Sequence, residues 1–289
     1  MSNFKSKAVA PSLAGLSGTP DADEVFVVDP SIRARRRETR IVVLSRLILA
    51  AVALLVWEWA CGRWISAFWI SSPSRIAIAA LNMWNSGGLL RNLYATIAEA
   101  LVGFAFGVAG GMVMGVACGT SRVISKVLNP FLVGFYSIPR IALIPLFILY
   151  FGIGFQTKVI YIALLVFFPV FMNTLSGVRD VNQDLIDVIR VMGATRSDTV
   201  RKILIPSALA WLFAGLRISV TYALTGAIVA EMFTSNVGLG YLVSFYANQF
   251  DTSSLFATLA VTTALGLLLN AFVVLIEKRL LRWRPVEGA

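Results

Sequence analysis

The stretch VMGATRSDTVRKILIPSA, residues Val191–Ala208, lies between two strongly apolar segments of the chain. Its first two residues are also the last two of an amphipathic run, NQDLIDVIRVM. In that run Leu185, Ile189 and Met192 recur at helical spacing. Gly193 follows that run directly, at a position where helices commonly end because glycine adopts left-handed backbone angles without a Cβ clash. The sequence therefore predicts a helix, a sharp turn and a second helix outside the most apolar parts of the chain.

A second helix and an apolar segment follow the turn. Thr195 and Asp198 have the spacing of a capping box, in which two side chains satisfy free backbone N–H groups at a helix start. Pro206 disfavours helical geometry at Ile205 and suits the first turn of the next segment. Three interpretations of this loop are open: an anchor on anionic lipid, a solvated connector, or a surface that docks into a cytoplasmic partner. The turn at Gly193 favours docking, because neither an anchor nor a connector needs it.

The composition of the whole chain is that of a polytopic membrane protein. Its 289 residues are 58% hydrophobic and 14% charged, with a mean hydropathy of +0.80, which is too apolar for a soluble domain of this size. The net charge of +10 does not indicate nucleic-acid binding, because the basic residues lie in short segments between apolar runs. The chain has no histidine, and Cys61 and Cys118 lack metal-ligand neighbours. We therefore predict no metal site and no catalytic residues.

Six segments are apolar and long enough to cross the hydrocarbon core as helices, which takes about 20 residues each. They lie at about 41–61, 93–118, 131–152, 158–177, 207–233 and 255–277. Residues 1–40 are weakly apolar and contain proline and glycine. We expect them to form a disordered cytoplasmic tail, followed by a transmembrane domain over residues 41–284 with the loop at 180–206.

Lysine and arginine predict the orientation of these spans. With a cytoplasmic N-terminus, the basic residues on the outer side are Arg63, Arg75, Arg91 and Lys158, and the many others near the spans fall on the inner side. Both termini and the 180–206 loop are therefore predicted to be cytoplasmic.

Two patterns within the spans concern helix packing. Glycine occupies every fourth position of the second span, which allows close approach of another helix, either within this chain or between subunits. These glycines are Gly103, Gly107, Gly111, Gly115 and Gly119. Proline interrupts the third span at Pro139 and Pro145 and the fourth at Pro169. Each proline removes a backbone donor and bends its helix, so we predict a kinked bundle.

Several stretches share the pattern of a known family. They are IALIPLFILYFGIG (Ile141–Gly154), FFPVFMNTLSGV (Phe167–Val178), GLR (Gly215–Arg217), VAEMFTSNVGLGYLV (Val229–Val243) and SSPSRIAIAALNMW before the second span. The 180–206 loop resembles the family signature of Glu-Ala-Ala, three residues, Gly, about nine residues, an aliphatic residue, one more and Leu-Pro. It departs from that signature with Asp187, Val188 and Ile189 in place of Glu-Ala-Ala and Ile205 in place of Leu. Over residues 57–284 the chain resembles the permeases of ATP-binding-cassette (ABC) importers, in the branch that carries nitrate, sulfonate, taurine and bicarbonate.

The resemblance implies a fold and a role for the loop. We expect an all-α membrane protein with the six-helix fold of type I ABC importer permeases, located in the bacterial cytoplasmic (inner) membrane. The helix–Gly–helix loop would be the coupling loop that sits in a cleft of a separate ATPase. Its coupling residues are then Asp184, Asp187, Val188, Ile189, Arg190, Gly193, Ala194, Arg196, Ile203 and Pro206.

The resemblance also implies partners and a function. The expected partners are two cytoplasmic ABC ATPase subunits, a second permease subunit in a homodimer, an extracytoplasmic solute-binding protein and the lipid bilayer. The chain has no GxxxxGK[ST] phosphate loop, so ATP and Mg would be used by the partner ATPase, and this chain would bind no cofactor. The implied function is import of a small organic anion such as an aliphatic sulfonate or taurine. Nitrate, bicarbonate or a heteroaromatic vitamin precursor are the alternatives.

Two other classes of protein fit the sequence less well. A secondary transporter working alone would favour two matching inverted halves, which this sequence does not show. An intramembrane enzyme would need a nucleophile–base pair or a metal cluster within the spans, and the carboxylates here are spread over separate spans.

Charged and polar residues within the spans are candidates for the translocation pathway, because an intramembrane charge is costly and faces protein or water. Glu99, Arg140, Arg217 and Glu231 either neutralise one another inside the bundle or act in transport. The resemblance places Glu231 in an outer gate region, and Arg140 would present a cation to an anionic solute. The candidate pathway residues are Glu99, Arg140, Asn173, Thr174, Tyr222, Thr225 and Glu231.

Overall fold

The computed structural model describes residues 30–64, 66, 68–181, 183–199 and 203–280. The long elements in this part of the chain are all helices. They are α1 (Pro30–Ala60), α2 (Pro73–Asn85), α3 (Gly88–Thr120), α4 (Arg122–Tyr136), a 3₁₀ turn (Arg140–Leu143), α5 (Ile144–Phe151), α6 (Phe155–Arg179), α7 (Gln183–Val191), α8 (Arg196–Thr199), α9 (Ile205–Thr234), α10 (Leu239–Asn248) and α11 (Thr252–Leu280).

Five helices are long and apolar enough to cross a membrane. They are Ile41–Ala60 within α1, Gly88–Thr120, Phe155–Arg179, Ser207–Thr234 within α9, and Thr252–Leu280. Each coincides with one of the predicted spans, with ends that differ by several residues. The all-helical, multi-span fold class predicted from the sequence is confirmed.

The third predicted span, at 131–152, is bent as its prolines predict, but the bend is a break between two helices and not a kink within one. It consists of α4, the 3₁₀ turn and α5, and its two helical arms meet at 88°; we call it the broken span. Pro139 precedes the 3₁₀ turn with extended backbone angles (φ −62°, ψ 103°), and Pro145 lies in the first turn of α5. Each proline removes a backbone donor and disfavours helical angles at the residue before it, which favours a break in this segment.

The N-terminal part of the chain also differs from the expectation. The chain divides after Leu55 into two units, and the first contains the start of α1. α1 begins at Pro30, so residues 30–40, predicted as the end of a disordered tail, are helical; residues 1–29 lie outside the described part. Proline suits a first helical turn, and the RARRRETR segment that follows is rich in arginine, a good helix former.

Within the second unit, α3 and α6 pack along a regular line that we call the α3–α6 seam. The five glycines of α3 named above each face a β-branched residue of α6, which are in order Ile162, Val166, Val170, Thr174 and Val178. A Cβ atom added at Gly107 would lie 2.6 Å from the carbonyl oxygen of Ala163. Both helices advance by four residues per step, as in ridges-into-grooves packing. Of the two roles predicted for the glycine pattern, the structure shows packing within the chain.

α9 completes this core. Ala223 and Ala227 of α9 are buried against Ala100 of α3 and Val166 of α6. α2, α10 and α11 form a second apolar cluster around the buried Leu239 and its neighbours. We call the end of the bundle where α6 finishes and α9 begins the loop end, and the opposite end, where α6 begins and α9 finishes, the far end.

Candidate functional site

The 180–206 loop, predicted to be the coupling loop, forms the expected helix, turn and second helix at the loop end. α7 ends at Val191, and Gly193 has a left-handed backbone with φ +86°. The N–H of Ala194 donates to the carbonyl of Ile189 at 3.0 Å, which is the bond that closes a Schellman C-cap. A Cβ atom added at Gly193 would meet nothing within 4 Å. Glycine is therefore favoured here because it adopts left-handed backbone angles, and not because a larger side chain would clash with a neighbour.

The predicted capping box at the start of α8 is confirmed. The Asp198 carboxylate accepts from the Thr195 N–H at 3.2 Å and from its hydroxyl at 2.6 Å. The Thr195 hydroxyl oxygen in turn accepts from the Asp198 N–H at 3.2 Å. These reciprocal bonds fix the start of α8 directly after the turn.

The loop presents apolar side chains to its surroundings. Val191 is 90% exposed and Met192 is 80% exposed, and Val188 is exposed one turn earlier on α7. Asp184 and Asp187 are exposed on the same helix, whereas Ile189 and Ala194 are half-buried. The side chains of Arg190, Arg196 and Pro206 lie outside the described residues. Adjacent apolar side chains this exposed mark an interaction surface.

At the far end, the seam finishes in a buried ion pair. The Lys158 ammonium of α6 donates to the Glu99 carboxylate of α3, and both side chains are buried. Each residue lies four positions before the first seam contact of its helix, Gly103 on α3 and Ile162 on α6. The pair is therefore one further step in the register of the α3–α6 seam. Lys158 also donates to the Ser235 hydroxyl at 3.2 Å, which links the pair to the end of α9.

The same region caps the start of α10. Backbone N–H groups of residues 238–240 donate in order to Asn92 Oδ1 (2.6 Å), Thr96 Oγ1 (2.8 Å) and Glu231 Oε2 (2.7 Å). The Thr96 hydroxyl donates to the other oxygen of Glu231 at 2.7 Å. These bonds satisfy N–H groups that have no partner inside α10, and a carboxylate is favourable at a helix N-terminus. Gly238 has φ +124°, and a Cβ there would lie 2.2 Å from the Glu231 side chain.

Arg140 lies at the 3₁₀ turn of the broken span. Its guanidinium carbon is 5.8 Å from the ring centre of Phe168 on α6 and 5.6 Å from that of Tyr222 on α9. A cation at these distances is attracted by the negative face of an aromatic ring. Three segments that are distant in the sequence meet at this residue.

The predicted pathway residues do not form one site. Glu99 and Glu231 belong to the far-end cluster and Arg140 contacts Tyr222, but Thr174 packs in the seam against Gly115. The Asn173 side chain donates to the carbonyl oxygen of Pro169, one turn earlier in α6, at 2.8 Å. Thr225 is exposed on α9.

Charge neutralisation inside the bundle involves different partners from those expected. Glu99 pairs with Lys158, and Arg217 of α9 pairs with Glu277 of α11. Lys158 was missing from the predicted site because it lies at the predicted beginning of a span and was assigned to the outer loop. The signal that could have found it is its position, four residues before the β-branched series of α6, as Glu99 is four residues before the glycines of α3.

The described residues contain no group of three or more His, Cys, Asp or Glu side chains placed to hold a metal ion. The Glu99–Lys158 pair and the α10 cap are buried, and their contacts join α3, α6, α9 and α10. Among the described residues, the exposed apolar side chains of the 180–206 loop are suited to contact another molecule.

Comparisons with known proteins identify the family. Residues 107–282 match the binding-protein-dependent transport system inner membrane component. The chain is 34% identical over 88% of its length to a putative aliphatic sulfonates transport permease of Bacillus subtilis (strain 168), covering 92% of that protein. It is 34% identical over 80% of its length to a riboflavin transport system permease of Chloroflexus aurantiacus, covering 87% of it. A taurine transport system permease of Escherichia coli (strain K12) is 28% identical over 85% of this chain and 91% of its own.

A solved structure supports the same fold. An inward-facing crystal form of the MetNI methionine ABC transporter superposes with a TM-score of 0.60 at 23% identity, covering 67% of this chain and 95% of that chain. Permeases of this family work with an ATPase and a solute-binding protein. The chain belongs to the family of binding-protein-dependent transport system inner membrane components and is the membrane-spanning permease subunit of an ABC importer.

Proposed function

We propose that this permease forms the translocation pathway for a small organic anion, an aliphatic sulfonate or taurine, in an assembly with two ATPase subunits, a second copy of itself and an extracytoplasmic solute-binding protein. The observation that carries the proposal is the coupling loop, in which a Schellman turn at Gly193 presents Val191 and Met192. The proposal places residues 180–206 in a cleft of the ATPase.

The shape of the loop suits the transmission of movement. α7 and α8 are short, and the bonds at Ala194 and between Thr195 and Asp198 fix the angle between them. When two ATPase subunits close on ATP, a rigid turn seated in each would carry that movement to the bundle, which then opens alternately to the two sides. Exposed Asp184 and Asp187 would contact the rim of the cleft, and the apolar side chains its centre.

The proposed orientation has the loop end in the cytoplasm and both termini on the same side. The excess of lysine and arginine near the loop end supports it. The far end, with the turn at residues 235–238, then faces the solute-binding protein. Two ATPase subunits would each engage one loop, which a symmetric homodimer of this chain provides. The tail at residues 1–40 and the permease domain at 41–284 are the proposed division of the chain.

The proposed solute class is supported by the sulfonate and taurine permeases to which the chain is similar. The riboflavin permease is equally identical over a somewhat shorter length, so a heteroaromatic vitamin or its precursor is the second candidate. Nitrate and bicarbonate complete the anionic alternatives.

The first experiment tests the coupling loop through Gly193. Gly193→Val forces a β-branched residue into left-handed angles, at a cost of about 1–3 kcal/mol, whereas Gly193→Asn is the matched control because asparagine tolerates those angles. With the complex in liposomes, we expect Gly193→Val to lose most solute uptake while the permease still inserts, and Gly193→Asn to retain most of it. Uptake at the wild-type rate by Gly193→Val would contradict the coupling role.

Site-directed crosslinking tests the partner itself. Cysteines at the exposed positions Val188, Val191 and Met192 should each be captured by the ATPase in membranes that import solute, and cysteines at Leu149 and Tyr150, which are as exposed but lie in the broken span, should not. Equal capture at both sets would show that exposure alone explains the crosslinks.

A further inference from the structure

We propose that a groove between α3, α9 and α11 binds one acyl chain of an anionic phospholipid, whose phosphate is bound by Arg217 and Arg279 where the groove meets the loop end. The phospholipid belongs to the membrane leaflet on that side. The inference goes beyond the proposed function, because it concerns a lipid site and holds whichever solute the importer carries.

The groove is an apolar channel along the surface of α9. α3 and α11 each pack against α9, and the groove lies between them. α9 forms the floor, where Phe213, Val220 and Ala223 are buried. Leu101 of α3 and Phe272 of α11 line the two walls and are 50% and 59% exposed. The described side chains that line the groove are all apolar, so it suits hydrocarbon and not a sulfonate or another polar group.

The length of the groove matches one leaflet of a membrane. Ala223, near the middle of α9, and Phe213, toward its loop end, are ten residues apart, which is about 15 Å along the helix. The hydrocarbon core is about 30 Å thick, so one leaflet contributes about 15 Å. A transmembrane helix of a second copy would cross the whole core and leave about half of its length outside the groove. An acyl chain of one leaflet fits this length.

Arg217 places a cation on the face of α9 that forms the floor. It follows Phe213 by four residues and precedes Val220 by three, and residues at these spacings lie on the same side of a helix. The Arg217 guanidinium donates to the Glu277 carboxylate of α11, and the two side chains are 49% and 20% exposed. The pair therefore lies at the groove with its arginine half open to the membrane side.

α11 adds two further cations near this pair. Arg279 follows the lining residue Ile276 by three positions, so it continues the side of α11 that faces the groove. Lys278 and Arg279 are exposed. With Arg217 they make three basic side chains against one carboxylate, Glu277, in the loop-end halves of α9 and α11. A guanidinium matches the oxygens of a phosphate, and basic pockets between transmembrane helices favour anionic headgroups.

The first test measures headgroup selectivity in the complete importer, purified with its ATPase in detergent. Native mass spectrometry would count the lipid bound per permease, with phosphatidylglycerol and phosphatidylcholine of the same acyl chains as probes. Wild type should bind phosphatidylglycerol about tenfold more tightly. Arg279→Glu should weaken that binding by about 10- to 30-fold, because each charge near the membrane surface contributes about fivefold. Lys126→Glu is the matched control, since Lys126 is exposed near the loop end on α4, and it should stay within about twofold of wild type.

The second test locates the acyl chain. Phosphatidylglycerol with a photoactivatable diazirine midway along its chain should label the groove walls at Leu101 and Phe272. Leu149 and Tyr150 of α5 are more exposed than these two residues and should receive much less label. Glycerol 3-phosphate, which has the phosphate without a chain, should not displace the bound lipid.

Each contrary result overturns the inference in a different way. Equal binding of the two lipids, or binding of phosphatidylglycerol by Arg279→Glu at the wild-type level, would remove the role of the cations. Equal labelling of the groove and of α5 would show a lipid that covers the whole surface without a site. Displacement by glycerol 3-phosphate would show that the headgroup binds without the groove, and crosslinks from the groove to a second copy of the chain would show a subunit interface.

Discussion

The α3–α6 seam and the broken span both involve contacts to α6, and they differ in how they use the same residue types. In the seam, glycines at every fourth position let β-branched side chains of α6 reach the backbone of α3. In the broken span, Gly134 has nothing within 4 Å of an added Cβ, and prolines divide the helix into arms that meet at 88°. Glycine is a packing residue in one region and occupies open space in the other.

This difference in packing indicates that the α3–α6 seam is a rigid part of the molecule and that the broken span has room to move. The seam is continuous with the Glu99–Lys158 pair and the cap of α10, so it joins α3, α6, α9 and α10 into one body. The broken span carries many exposed apolar side chains, among them Phe135, Leu149 and Tyr150. In a transporter that alternates its opening, we expect the broken span to move against the seam.

The largest effect is expected at the ionic end of the seam. Lys158→Met leaves the buried Glu99 carboxylate without its partner and should lower the free energy of unfolding by about 3–5 kcal/mol. The double variant Lys158→Met with Glu99→Leu should recover most of this loss, because a buried pair can often be replaced by apolar residues. Thermal unfolding of the purified permease in detergent measures both.

Arg217→Met provides the comparison for that result. Arg217 and Glu277 are partly exposed, and removing such a pair should cost no more than about 1 kcal/mol. A loss at Arg217 as large as that at Lys158 would show that burial does not distinguish the two pairs.

Replacing a glycine by alanine in each of the two regions should change the free energy of unfolding less than Lys158→Met does. Gly107→Ala places a Cβ against the carbonyl oxygen of Ala163 and should destabilise the fold by about 1–3 kcal/mol. Gly134→Ala meets no neighbour within the chain and should stabilise α4 by up to about 1 kcal/mol, because alanine is the better helix former. Opposite shifts in unfolding temperature are the expected result, and shifts of the same sign would remove the distinction between the regions.

A similarly small effect on stability is expected at the break itself. Pro139→Ala gives the unfolded chain more freedom and should cost about 0.4–1 kcal/mol, since Pro139 is exposed. Solute uptake should fall further than stability does, because the angle between the arms is no longer held by proline. Uptake unchanged from wild type would show that the break has no part in transport.

Local patterns in the sequence predicted close helix packing at the glycines of α3 and the helix–turn–helix shape of the 180–206 loop. The fourfold spacing of Gly103 to Gly119 is a property of one segment, and so is the run from the amphipathic helix through Gly193 to Asp198. In such cases the residue type and its neighbours in the chain decide the geometry. Pro139 and Pro145 likewise predicted a bend in the third span.

Contacts between distant segments were harder to predict. Lys158 lies at the start of its span, and only the packing of α6 on α3 shows that it is buried against Glu99. The partner of Arg217 is Glu277, which lies beyond the middle of the last span and was not among the candidates. The contacts of Arg140, next to the break at Pro139, with Phe168 of α6 and Tyr222 of α9 are likewise not visible in the sequence. Each of these depends on the register between helices.

The side chains that meet the glycines of α3 have a consequence for how the bundle assembles. In a helix, valine and isoleucine are almost confined to one χ1 rotamer before they touch anything, and glycine has no side chain to order. Closing α6 onto α3 therefore costs little side-chain conformational entropy, unlike the burial of long flexible side chains. We expect these two helices to pack together early after insertion, in a register determined by the fit of the β-branched side chains against the glycines. α9 would then pack onto this helix pair.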